Sequence, residues 1–394
     1  MTTTFDPHDP ISLTQALVRC ESVTPDEGGA ITMLETVLAT AGFTCHRMTF
    51  SEPGTPDVEN LYARIGTDEP HLCFAGHTDI VPAGNLEAWS DPPFAGVIRN
   101  GILYGRGAVD MKGGVACFVS AALRHLASDG AALTRGSISF LITGDEEGPS
   151  INGTMKVLDW MKARGEKVSA CLVGEPSNPE ALGDEMKIGR RGSINGEIVV
   201  HGRQGHSAYP QKAENPIPKL ARIIDRLATV EIDRGTTHFQ PSNLQTTVIS
   251  VPNRTANVIP AEARATINIR YNDTWNRATI EAWLREQCAA AAATVDARYE
   301  LDVSGTGDVF LTSPQGVLVE TLVAAVEAET GRKPALTTGG GTSDARFIKD
   351  ICPVIEFGLV NKTIHAVDEH TSVADIEKLT AIYERFLAGY FAAA

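Results

Sequence analysis

Five short segments bring histidine or carboxylate residues to places where chemistry could gather. The apolar run Leu72–Ala75 ends in Gly76-His77-Thr78-Asp79, Ile138–Thr143 ends in Gly144-Asp145-Glu146-Glu147, and Ala170–Val173 ends in Gly174-Glu175-Pro176. A glycine-rich turn from Tyr104 to Lys112 presents Asp110 ahead of a helical stretch, and Thr363-Ile364-His365 follows the apolar segment Val354–Gly358. Taken singly, each has a plain reading: a lone histidine at a strand end is usually hydrogen-bonded structure, and Glu146-Glu147 alone reads as a solvated loop. Converging on one sheet edge, they would repel one another unless cations neutralise them. Imidazole with carboxylate, and no cysteine, suits a borderline metal held for catalysis, with Zn²⁺ foremost. Two histidines and three carboxylates exceed the ligands of one catalytic zinc. They fit two metals that share a carboxylate and turn a water into a nucleophile near neutral pH. Asp79 stands where it can hydrogen-bond the His77 imidazole and set its tautomer. Of the adjacent Glu146 and Glu147, one can bind metal while the other serves as general base. Spacing alone assigns neither, and it does not choose between His365 and His370.

The elements that must position these residues are legible as alternating patterns. Up to about residue 190, the short apolar runs are separated by helical stretches, including Gly114–Ala127 and Thr154–Arg164. Strands spaced by helices predict an α/β fold, a mainly parallel central sheet with helices on both faces. Ligands in such sheets bind beyond the carboxyl ends of the strands, which is where the histidines and carboxylates fall. Near residue 192 the character changes. Ser193–His201, Thr246–Val251 and Arg264–Arg270 alternate with period two, and the stretches Pro216–Thr229 and Thr274–Ala293 read as helices. This predicts an inserted α+β module at 192–303, flanked by catalytic-domain segments 1–191 and 304–394. The second segment resumes with a helix at Gln315–Thr330, a strand at Val354–Gly358 and a terminal helix at Ala374–Tyr390.

Bulk properties narrow the function classes. A chain of 394 residues exceeds the usual size of one hydrophobic core, which agrees with two domains. The net charge of -15 argues against a nucleic-acid backbone or an anionic membrane surface as partner, because both require a basic face. It leaves an anionic small molecule open, since a few arginines can invert the field locally. The seven cysteines form no Cys-x-x-Cys pair and sit largely in apolar runs, the pattern of buried thiols in a reducing compartment. The opening MTTTFDPHDP lacks a basic and then apolar leader, and no apolar stretch has the length of a membrane span. A cytoplasmic protein is expected.

In combination, the motifs resemble a known family. Gly76-His77-Thr78-Asp79, Trp89–Phe94, the run Gly105 to Gly114, Asp145-Glu146-Glu147-Gly148, Gly174-Glu175-Pro176 and Thr363 to Glu369 occur in order over nearly the whole chain. The set is similar to the metallopeptidase family of aminoacylases, acetylornithine deacetylases and succinyl-diaminopimelate desuccinylases. Gly189 to Ser193, Gly205 to Pro210, Asn257 to Pro260 and Gly340 to Phe347 resemble the desuccinylase branch in particular. The resemblance implies a zinc-peptidase-like catalytic domain with a lid and dimerisation domain inserted in it. It implies two Zn²⁺ per subunit, which Co²⁺ can replace, and hydrolysis of a small N-acyl amino acid. Carried over position by position, it assigns one metal to His77 and Glu175 and the other to Glu147 and His365. Asp110 would bridge them, with Glu146 as general base and Asp79 behind His77. Arg190, Ser193, Tyr209, Asn257, Arg270, Gly341, Thr342 and Asn361 would bind substrate. His206 would reach the reacting carbonyl of the partner subunit in a homodimer formed through the inserted domain.

Competing signals are weaker. Gly339-Gly340-Gly341-Thr342 lacks the Gly-Lys-Ser/Thr that completes a phosphate loop, and Gly105-x-Gly107 lacks the third glycine of a dinucleotide fingerprint. Ser343 has no nucleophile elbow around it. A catalytically silent binding protein on the same fold would ordinarily have lost a ligand or Glu146, and this chain keeps them all.

Overall fold

The computed structural model describes residues 5–128 and 136–393. The chain divides into two compact units: Met1–Ile188, Thr312–Thr337 and Ser343–Ala394 form the first, and Gly189–Leu311 with Thr338–Thr342 the second.

The first unit is built on an eight-stranded sheet in the order Thr44–Phe50, Val58–Ile65, Ser137–Thr143, His71–His77, Ala170–Val173, Val354–Glu356, Glu185–Lys187 and Ala335–Thr337. Its centre is parallel: His71–His77 runs alongside both Ser137–Thr143 and Ala170–Val173, and Val354–Glu356 alongside Ala170–Val173. The first two strands join as an antiparallel hairpin. Every residue of His71–His77 and of Ser137–Thr143 is buried, as continuous apolar strands must be when helices cover both faces.

Alternation then sends side chains to opposite faces. Leu72, Phe74, Ile138, Phe140, Ile142, Ala170 and Leu172 enter one core with the helices Ala30–Thr40, Lys112–Ser128, Val317–Thr330 and Val373–Ala393. There Phe74 stacks on Phe118 at 4.3 Å and both rings meet Tyr383, whose hydroxyl donates to the Phe357 carbonyl at 2.5 Å. The helix Thr154–Ala163 packs on Ser137–Thr143 and Val58–Ile65 and buries Val157, Leu158 and Met161 outside that core. At the carboxyl edge, a Cβ at Gly174 would lie 2.5 Å from the Phe74 ring and 2.9 Å from Met111 Cε. Only glycine lets the strand end carrying Glu175 settle that closely on the turn carrying Asp110.

The second unit is an antiparallel sheet in the order Asn243–Ser250, Glu262–Tyr271, Gly192–His201, Arg298–Gly307. Glu262–Tyr271 alternates strictly, with Ala263, Ala265, Ile267, Ile269 and Tyr271 buried. These residues share a core with Leu220, Ile223 and Leu227 of the helix Pro216–Thr229 and with Ile280, Leu284 and Cys288 of the helix Arg277–Ala293. The unit's main segment runs from Gly189 to Leu311, against the expected 192–303, and the unit also takes in Thr338–Thr342. The cause is a short pairing of entry on exit, Arg190 with Phe310 and Gly189 with Leu311. A helix start and a hairpin also differ from expectation. The second helix starts at Arg277, with Asn276 and Thr279 forming its capping box. Thr274, the expected start, lies in a turn where Asn272 Oδ1 accepts from its backbone N–H at 3.1 Å. The N-terminal hairpin Thr44–Ile65 was not anticipated.

Candidate metal centre

The five candidate ligands and the candidate base lie at the carboxyl edge of the central sheet or on the loops beside it. His77 closes one strand, Glu146 and Glu147 follow the next, and Glu175 follows a third. Asp110 immediately precedes the helix Lys112–Ser128, and His365 belongs to the loop between Val354–Glu356 and the His370–Ser372 strand. Their atoms form three overlapping groups: His77 with Asp110 and Glu175, His77 with Glu146 and Glu147, and Asp110 with Glu147 and His365. Asp110 faces both histidines. Its Oδ1 lies 3.3 Å from His77 Nε2 and its Oδ2 lies 3.3 Å from His365 Nε2. Glu175 Oε1 is 3.9 Å from His77 Nε2, and Glu147 Oε1 is 2.7 Å from His365 Nε2.

The two histidines that spacing could not separate stand apart. His370 Nδ1 donates to the Asp368 carbonyl at 2.7 Å and its ring lies 5.1 Å from that of Tyr104. His365 is the one inside the cluster, held with its backbone in the left-handed region at φ 58.

Asp79 acts on His77 differently from expectation. The His77 Nδ1–H donates to the Asp79 main-chain carbonyl at 2.8 Å, while the carboxylate is 3.6 Å from that nitrogen. The carboxylate instead accepts the backbone N–H groups of Glu147 at 2.9 Å and Glu146 at 3.3 Å. Asp79 thereby sets the His77 tautomer with its main chain and holds the two glutamates with its side chain. The tautomer turns the Nε2 lone pair towards Asp110 and Glu175, a repulsive arrangement unless a proton or a cation lies between them.

The electrostatics carry the same sign. Burial, then the charges of Asp344, Glu147 and Asp110, set against His77, push Glu146 up to about 8. Burial followed by Asp110 and Glu146 drives Glu175 well above the carboxylate range. Burial would depress His77, yet its bond to Asp110 and the charges of Asp79, Glu175 and Glu146 hold it well above the usual imidazole value. Bonds to Asp110 and Glu147 raise His365 to about 10. Asp110 goes the other way despite its burial, held below the normal range by both imidazoles. Oxygen and imidazole donors that retain protons so strongly are donors competing for missing positive charge, and they fit a pair of divalent cations.

Three supporting residues were absent from the expected set. Glu369 is fully buried and bonds the turn before Asp110, Arg106 pairs with it at 2.7 Å, and Asp344 adds a buried carboxyl bonded to Thr154 Oγ1 at 2.5 Å. Glu369 lies in the Thr363–Glu369 motif, but nothing in a lone glutamate reveals three backbone partners.

Of the remaining expected residues, Asn361 belongs to the first unit, where its N–H donates to the Asn178 carbonyl at 2.8 Å. The others belong to the second unit. Ser193 and Arg270 are direct partners across two strands, joined through Asn268, which reaches Ser193 Oγ at 3.4 Å and accepts from Arg270 Nε at 3.1 Å. Arg190 Nη1 donates to the carbonyls of Gly339 at 3.2 Å and Gly341 at 3.0 Å, and Thr342 is exposed beside them. His206 is exposed in a two-residue strand paired with Val258–Ile259, and its ring lies 5.7 Å from that of Tyr209. The Asn257 carbonyl accepts from the Ser207 N–H at 2.9 Å.

The sequence model of Peptidase family M20/M25/M40 matches residues 73–389. The chain belongs to this family. It is 57% identical over 389 residues to a protein named succinyl-diaminopimelate desuccinylase from Methylorubrum extorquens, covering 98% of this chain and 99% of that one. A protein of the same name from Methylobacterium sp. (strain 4-46) is 58% identical over 385 residues, covering 98% and 96%. Among solved structures the fold is similar to the M20 family metallo-carboxypeptidase Sso-CP2 from Sulfolobus solfataricus, with a TM-score of 0.76 at 17% identity and coverage of 98% and 99%. It is also similar to the Bacillus subtilis YXEP protein, described as a dinuclear metal binding peptidase of the M20 family. That match has a TM-score of 0.71 at 18% identity, covering 98% of both chains. Family membership accounts for the α/β fold and for a sheet edge crowded with metal-type donors.

Proposed function

We propose that the chain hydrolyses N-succinyl-LL-2,6-diaminopimelate to succinate and LL-2,6-diaminopimelate. The observation that carries this is the intact cluster around Asp110, in a chain more than half identical over its length to proteins named for that reaction. His77 and Glu175 would hold one Zn²⁺, Glu147 and His365 the other, with Asp110 between them and Co²⁺ able to substitute. When bound, such a pair supplies Lewis acidity to the amide carbonyl and lowers the pKa of water.

The protein's own groups do the rest. Glu146 takes the proton of the attacking water as its oxygen bonds to the carbonyl carbon. It then delivers that proton to the nitrogen as the C–N bond breaks; the new acid's own proton passes to the amine, so the products leave as carboxylate and ammonium. In the second unit, the guanidinium groups of Arg190 and Arg270 serve the substrate's carboxylates, with Ser193, Tyr209, Asn257, Gly341 and Thr342, and Asn361 of the first unit, as further contacts. His206 donates to the carbonyl oxygen as negative charge builds there. The Ala208 N–H donates to its Nδ1 at 3.0 Å, which leaves the proton of the neutral ring on Nε2. We assign this donation to the partner chain of a homodimer formed through the inserted unit.

We place the enzyme in the cytoplasm; among the described residues no helix is long and apolar enough to cross a membrane. The deciding assay offers zinc-loaded protein N-succinyl-diaminopimelate, N-acetylornithine and a small dipeptide set, each with chelator controls. Preference for the succinyl substrate supports the reading. Comparable rates on N-acetylornithine would favour a deacetylase.

A further inference from the structure

One ion pair outside the ligand set touches the two loops that carry Asp110 and His365. The Glu369 carboxylate is fully buried and all its partners donate: Arg106 Nη1 at 2.7 Å and Gly107 N–H at 3.0 Å to Oε2, Val109 N–H at 2.9 Å and Asp110 N–H at 3.2 Å to Oε1. The Glu369 carbonyl also accepts the Gly105 N–H at 2.9 Å. The peptide run ending at Asp110 is therefore wrapped around one side chain. Arg106 lies 5.3 Å over the Trp89 ring, and its Nη2 donates to the His365 carbonyl at 3.3 Å. His365 and Asp368 both hold positive φ, at 58 and 57, a conformation that costs a non-glycine residue energy and persists only where neighbours enforce it. Ser90 supplies the other restraint, donating its N–H and hydroxyl to the Asp368 carboxylate at 2.7 Å each.

We propose that Arg106 and Glu369 form a clamp that fixes the spacing of the two metal positions, by tying the peptide of Asp110 to the backbone of His365. Both are positioning residues: neither side chain belongs to the ligand groups, and both act through residues that do. The clamp rests on the two-metal reading above. Asp110 faces both histidines while His365 belongs to one group only, so the two halves of the clamp have separable consequences. Losing the hold on Asp110 disturbs both metal positions; losing the hold on the His365 carbonyl disturbs one.

The test uses the full chain stripped of metal and titrated with Co²⁺, followed by calorimetry, visible absorption and electron paramagnetic resonance. Wild type should take up two ions, with spectra that change at each step. Arg106→Lys keeps a cation beside Glu369 but loses the planar second donor. One binding step should weaken by about 10- to 100-fold, the range for losing an outer-shell partner, while the other stays within about twofold. Glu369→Asp keeps the charge but draws the carboxylate back from the peptide N–H groups, so both steps and the spin coupling should change. Folding is checked by circular dichroism, and if Glu369→Asp fails to fold, Arg106→Lys decides alone. Variants with lowered melting temperatures but wild-type cobalt titrations and spectra would make the pair purely structural and overturn the clamp. Fewer than two ions in wild type would overturn the two-metal reading, and the clamp with it.

Discussion

Glu146 and Glu147 are neighbours in the chain with different company. Glu147 meets His365 at 2.7 Å, whereas Glu146 is set among the charges of Asp344, Glu147 and Asp110. Replacing Glu146 by Gln should lower kcat by about 10²- to 10⁴-fold, the usual worth of a general base, with metal content unchanged by elemental analysis. Replacing Glu147 by Ala should instead lower the metal content. Exchanged phenotypes would reverse the two roles. At this scale, the histidines and carboxylates that collect at the strand ends were legible because each follows an apolar run. Arg106 and Glu369 were not, since their meaning lies in a contact spanning 263 residues of sequence. Asp79 was legible as a partner of His77, but the split between its carbonyl and its carboxylate depends on backbone direction that residue types do not encode.

Among the elements, patterns were readable where burial is one-sided or complete. Pro216–Thr229 coincides with its expected bounds, because Asn215 caps it and Leu220, Ile223 and Leu227 repeat at helical spacing. The edge strand Thr44–Phe50 escaped because Met48 is its only buried residue, so little apolar signal marks it. Close packing is another property that periodicity hides. A Cβ at Gly192 would strike the ring of Tyr271, which is itself fully buried and donates its hydroxyl to Asp308 at 2.9 Å. Gly192→Ala should therefore destabilise the inserted unit by about 1–3 kcal/mol, the usual cost of overpacking. Denaturant titration checks this, and a pairing with Tyr271→Phe that restores nothing would be consistent with the ring, not the hydroxyl, being the obstacle. An unchanged midpoint for Gly192→Ala would show that the strand shifts freely.

For the molecule as a whole, the metal centre should write itself into the pH dependence of stability. Glu146 rises from 4.5 to about 8 and His365 from 6.5 to about 10. Between those values the metal-free native state holds protons that the unfolded chain has released. Stability present at low pH is consequently lost as pH climbs through the native values. Bound cations displace those protons, so the melting-temperature gap between metal-loaded and metal-free protein should widen from about pH 6 to about pH 9. A constant gap would mean that the cluster's protons do not compete with metal. The assembly has its own test. His206→Ala and Glu146→Gln chains should each be nearly inactive, and subunit exchange between them should restore activity if His206 serves the partner's site. Mixed dimers that stay inactive after verified exchange would remove that role. The α/β alternation and the inserted module were visible as changes of period along the chain, whereas the pairing of Gly189–Arg190 with Phe310–Leu311 depends on two dipeptides too short to carry a period.

The order of the central sheet has a consequence for biosynthesis. Val354–Glu356 lies between Ala170–Val173 and Glu185–Lys187, inside the sheet although late in the chain. A nascent chain that has not yet released this strand lacks the link between Ala170–Val173 and Glu185–Lys187, and His365 follows nine residues after Glu356. The inserted unit, with its own core, is meanwhile almost fully synthesised by residue 311. Ribosome-bound chains stopped at residue 350 should therefore resist protease across 189–311 and be cut within the first 188 residues. Extension to residue 394 should protect both. Assembly of the metal-type donors is in this way deferred until His365 has been translated, and a shorter product lacks the complete cluster.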